Sequence, residues 1–178
     1  MQDKTSSGAV GQMIHRIAEG VALLGGLCLL AAAILTGISI AGSVTYRPLP
    51  GEIEVVEILC GLAVFAFLPY CQLHKGHVGV DLLVSALGKT AVNWTQLFGD
   101  VVITVLIALI AWRHWIGTAD KFGNGEFTPI LSIPIWWGYA AAMVMLAINV
   151  IVSAWTVYAD IRDIREGIAI EPSLRGHG

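Results

Sequence analysis

GVALLGGLCLLAAAILTGISIAGSVTY, residues 20–46, carries no charged side chain from end to end. A helix rises about 1.5 Å per residue and a bilayer core is about 30 Å thick, so roughly 20 apolar residues cross it. This run is longer, which predicts a first membrane helix that tilts. It also exceeds the roughly 7 to 15 apolar residues of a signal-peptide core, so it reads as an uncleaved anchor. Residues 53–73 form a second apolar run with Glu54 and Glu57 in its opening turns, and residues 127–159 hold a further span without any charge. Between them Asp100 and Arg113 interrupt the third. Placed at residues 96–116, that helix keeps both charges near its ends, where they reach water by snorkelling.

The composition of the 178-residue chain agrees, with 56% hydrophobic residues, only 13% charged and a mean hydropathy of +0.76. A soluble core cannot absorb that much apolar surface. The net charge of -3 carries no basic excess to attract nucleic acid. Cys28, Cys60 and Cys71 lie inside apolar runs without a CxxC pair and read as small packing residues. The fold class is all-α integral membrane: four transmembrane helices, residues 17–159, between a cytoplasmic N-terminal segment, 1–16, and a cytoplasmic tail, 160–178.

Tryptophan favours the headgroup level. Trp112 and Trp115 close the third span where Trp136 and Trp137 open the fourth, while Trp94 precedes the third and Trp155 closes the fourth with Tyr158, giving two aromatic belts. Lys4, Arg16, Lys75, Lys89, Arg162, Arg165 and Arg175 fall on one side, against Arg47, Arg113 and Lys121 on the other. Seven against three places both termini in the cytoplasm. Between the second and third spans, Leu83, Leu87, Trp94 and Phe98 form a helical stripe away from Asp81, Ser85 and Lys89, the pattern of an interfacial amphipathic helix lying on membrane lipid. Asp81 suits its N-cap, and Gly76 and Gly79 permit the turn before it.

Few residues invite chemistry. His74, His77 and Asp81 have a spacing that suits metal ligands, but glycines interrupt the segment and solvated helix-end groups are the better reading. His74 and His114 are the candidates for a haem pair, yet they close their helices on opposite sides of the membrane. Glu54 and Glu57 share a helix face and are either solvated end charges or anchors against Arg47 or a partner subunit. Ala22, Gly26, Ala33, Gly37 and Ala41 make a row of small residues on the first helix that lets another helix approach closely. The spans show no broken helix with converging polar groups, no midplane acid, and no nucleophile with a base. No catalytic, cofactor or metal site is expected.

The segment RPLPGEIEVVEILCGLAVFAFLPYCQLHKGHVGVDLL, residues 47–83, resembles the small membrane subunit of tripartite ATP-independent periplasmic (TRAP) transporters, the DctQ-like family. The order of features carries the resemblance: Arg47 after the first helix, Glu54 opening the second, then Gly76, His77, Val80, Asp81, Leu82 and Leu83 as a GHxxVDLL-type segment. LSIPIWWGYAAAM, residues 131–143, resembles the family's Ile-Pro-x-Trp-Trp start of the fourth helix and brings in Pro134. Lys75 stands where a second glycine is common. The resemblance implies a bacterial or archaeal inner-membrane scaffold subunit. Its implied partners are a large membrane subunit, which holds the substrate and sodium sites, and a periplasmic substrate-binding protein. Together they import organic anions such as dicarboxylates. The chain ends soon after the fourth helix, as expected of a separate small subunit. The alternative is a cofactor-bearing membrane anchor of a respiratory enzyme. A small autonomous exporter is disfavoured because Asp100, the deepest acid, stands alone.

Overall fold

The computed structural model describes residues 9–45, 49–74 and 89–165. Four helices make up nearly all of it: α1 Ala9–Thr45, α2 Glu52–Leu73, α3 Lys89–Asn124 and α4 Ile135–Arg165. Each is long and apolar enough to cross a membrane, as the four apolar runs predict. Among the described residues the one extended pairing is an isolated bridge between Phe127 and Pro134.

The helices overrun their apolar runs. At 37 residues α1 is about 55 Å long, well beyond a bilayer core. In its first described turns α1 buries Ile14 and Ala18 while Arg16 and Glu19 face outward. Likewise α3 already includes Trp94 and Phe98, which stand 61% and 70% exposed on the side away from buried Asp100. That half of the expected interfacial stripe thus continues into the third helix; Leu83 and Leu87 lie outside the described residues, as do Arg47, Gly76, His77 and Asp81.

Side-chain size sets the packing. α1 buries Ile14, Ala18, Val21, Gly25, Ala32 and Ser39, a three-then-four spacing that gives one stripe. At Gly25 a Cβ would lie 2.9 Å from Ala66 Cβ and 3.3 Å from the Ala63 carbonyl, so glycine permits the α1–α2 approach. The small row expected to pack sits beside this stripe. Gly26 and Gly37 have nothing within 4 Å of an added Cβ, and Ala33 and Ala41 are exposed. α2 then packs on α4, and α4 on α3, so the order in space is α1, α2, α4, α3.

Candidate functional site

Polar contacts hold the helices together at each end and between the ends. The end bearing Ala9, Leu73, Lys89 and Arg165 is the terminal end, and the other the loop end.

At the loop end, residues 125–134 fold on themselves between α3 and α4. Gly125, at φ +60°, lets the chain leave α3, and Lys121 closes an ion pair of 2.6 Å with Glu126. Thr128 organises the turn: its N–H donates to the Ile133 carbonyl at 2.9 Å, and its hydroxyl accepts the Ile133 N–H at 3.0 Å. The Ile135 N–H returns to the Glu126 carbonyl at 3.0 Å, and Pro134 bridges Phe127 before its carbonyl accepts the Trp137 N–H at 3.1 Å. Pro134 therefore ends the loop and opens α4, a position where a missing N–H is tolerated.

Glu54 fastens this loop to α2. Its Oε1 accepts the Ile130 N–H at 2.7 Å and its Oε2 the Leu131 N–H at 2.9 Å, so one carboxylate holds two consecutive amides. Leu131 then packs over Gly51, where φ is +77° and a Cβ would collide with the leucine side chain. The Leu49 N–H reaches back to Ser39 Oγ at 3.3 Å, tying the α1–α2 connection to α1. Glu57, one turn further on, is exposed.

A second stitch lies between the two ends. His114 stacks on Tyr139 with 5.2 Å between centroids and 4° between planes, its Nε2 lies 3.0 Å from the Tyr139 carbonyl, and Phe65 stands 5.6 Å away. At the terminal end His74 sits edge-on to His15 at 5.6 Å, with Nδ1 3.0 Å from the Tyr70 carbonyl. Phe65 and His74 are nine residues apart on α2, so the two histidines are separated by about 13 Å along the helix, too far to grip one haem. Among the described residues no three His, Cys, Asp or Glu side chains gather as metal ligands.

Asp100 departs from expectation. It does not snorkel: it is 2% exposed, and its Oδ1 accepts a 3.3 Å hydrogen bond from Gln72 Nε2. Nor does it stand alone. Thr104, one turn on, donates from Oγ1 to the Asp100 carbonyl at 2.7 Å and lies 3.4 Å from the Ser153 carbonyl. Asn149, Ser153, Thr156 and Asp160 are all buried along α4. Polar groups of α2, α3 and α4 therefore do converge, contrary to the reading of the spans taken singly. The signal was present in the spacing: 149, 153, 156 and 160 advance by four, three and four, which is one helical stripe.

Against known families, the chain matches a family model over residues 32–163, and that model is described as the tripartite ATP-independent periplasmic transporters, DctQ component. No curated protein and no solved structure matches it.

Proposed function

Since the chain belongs to the DctQ component family of tripartite ATP-independent periplasmic transporters, a transporter component and not an enzyme, we propose that it is the small scaffold subunit of such a transporter. It braces a large membrane subunit during sodium-coupled import of organic anions, dicarboxylates among them, that a periplasmic binding protein delivers. The supporting observation is where the polar groups go. Glu54, His114 and Asp100 each hydrogen-bond to a neighbouring helix or loop of the same chain, and Thr104 Oγ1, bonded within α3, also reaches the Ser153 carbonyl of α4. Such bonding ties the helices into a stiff slab.

The outward surface suits association. Gly26, Ala33, Gly37 and Ala41 leave a shallow face on α1 where a helix of the large subunit would lie close. Arg47, Glu57, Gly76, His77 and Asp81 are the further contact candidates. Leu83, Leu87, Trp94 and Phe98 would rest on lipid or on that subunit. The excess of Lys and Arg at the terminal end supports an inner-membrane orientation with both termini cytoplasmic.

Reconstitution in liposomes under a sodium gradient tests this reading, with labelled organic anions and with or without the large subunit and binding protein. Uptake is expected only from the complete set. Uptake by the small subunit alone would overturn it.

A further inference from the structure

Two buried polar side chains are left over once the helix-to-helix bonds are assigned. Asn149 and Ser153 are both 0% exposed, and neither the Asn149 amide oxygen or nitrogen nor Ser153 Oγ has a hydrogen-bond partner among the described residues. A buried polar group without a partner forfeits its hydration with nothing in return, so a partner is expected.

The fold brings a third group to the same level. Pro69, fully buried inside α2, has no N–H, which removes the usual helical donor to the Phe65 carbonyl. α2 and α4 run in the same direction, and Ile58 lies 3.7 Å from an added Cβ on Gly138. Pro69 is as far along α2 from Ile58 as Asn149 is along α4 from Gly138, which sets the two level. Counting instead from the Gln72–Asp100 and Thr104–Ser153 links puts Pro69 level with Ser153. The proline break thus lies level with the one turn of α4 that carries both side chains.

We propose that this turn, with the Phe65 carbonyl, encloses an internal hydration site in which water bridges α2 and α4. The chemistry selects water over a cation. Asn149 Nδ2 and the Ser153 hydroxyl are donors that need acceptors, while Asn149 Oδ1 and a carbonyl are acceptors that need donors. A cation satisfies only the acceptors. Water satisfies both, and two to four polar partners are what a buried water takes.

The full-length chain, labelled with ¹⁵N and placed in lipid nanodiscs, provides the test by water-selected nuclear Overhauser spectroscopy. The Asn149 side-chain NH₂ is expected to show a cross-peak to a water of long residence. Asn149→Leu should abolish that peak and Ser153→Ala weaken it, with no change when sodium is replaced by potassium or choline. An NH₂ resonance without water contact would overturn the proposal, as would a direct hydrogen-bond coupling to a protein carbonyl. A shift of the resonance with sodium would overturn it in favour of a cation site. The parent protein alone decides these outcomes, should a variant fail to fold.

Discussion

Glu54 is the residue on which the loop end depends. A carboxylate holding two consecutive amides fixes the loop's position as well as its presence, which a neutral amide cannot reproduce because half of its atoms are donors. Glu54→Gln should speed hydrogen exchange at Ile130 and Leu131 while leaving helical content unchanged. If the loop is also part of the subunit contact, the same change should reduce co-purification of the large subunit, with Glu54→Lys worse. Gly51→Ala tests the other half of the clasp: its left-handed backbone alone costs an alanine about 1–2 kcal/mol, and the displaced Leu131 side chain should add to the loss. Thermal unfolding in detergent would measure it. Glu54 was legible in the sequence as an acid at the mouth of a helix. Its partners were not, because backbone amides of a loop far along the chain leave no trace in composition or spacing.

Among the helices, the contrast between two adjacent glycines separates packing within the chain from packing outside it. Gly25→Val forces a side chain against Ala66 and the Ala63 carbonyl and should destabilise the α1–α2 pair by about 1–3 kcal/mol. At Gly26 an added Cβ meets nothing among the described residues, so Gly26→Val should leave the melting temperature nearly unchanged, while lowering recovery of the large subunit if that face is a contact. At the terminal end, Asp100→Leu strips Gln72 of its acceptor and should cost about 1–3 kcal/mol, whereas Asp100→Asn keeps an oxygen in place and should recover most of it. Charge-free length was enough to locate α1, α2 and α4, since a helix is the single-segment element that satisfies its own backbone in lipid, whereas α3 had to be read across Asp100 and Arg113. It was not enough to locate their ends. Arg16 and Glu19 face outward and Asp100 faces inward, and which of these a charge does depends on the neighbouring helix. Asp100 is stable inside because Gln72 meets it there, a partner that an isolated span does not reveal.

Across the whole molecule, helices neighbouring in sequence are paired in space, α1 with α2 and α3 with α4, and the pairs join along α2 and α4. Each pair is thus a hairpin whose contacts need only its own two helices. The join between hairpins uses mostly α2 and α4, together with Glu54 on the loop and Gln72 on Asp100. Assembly then resembles the meeting of two halves that join along α2 and α4. The gene should therefore tolerate being cut in two between the codons of Leu73 and Lys89. Co-expressed as separate polypeptides, the halves should find each other in the membrane and purify together, and Glu54→Lys in the first half should weaken that recovery.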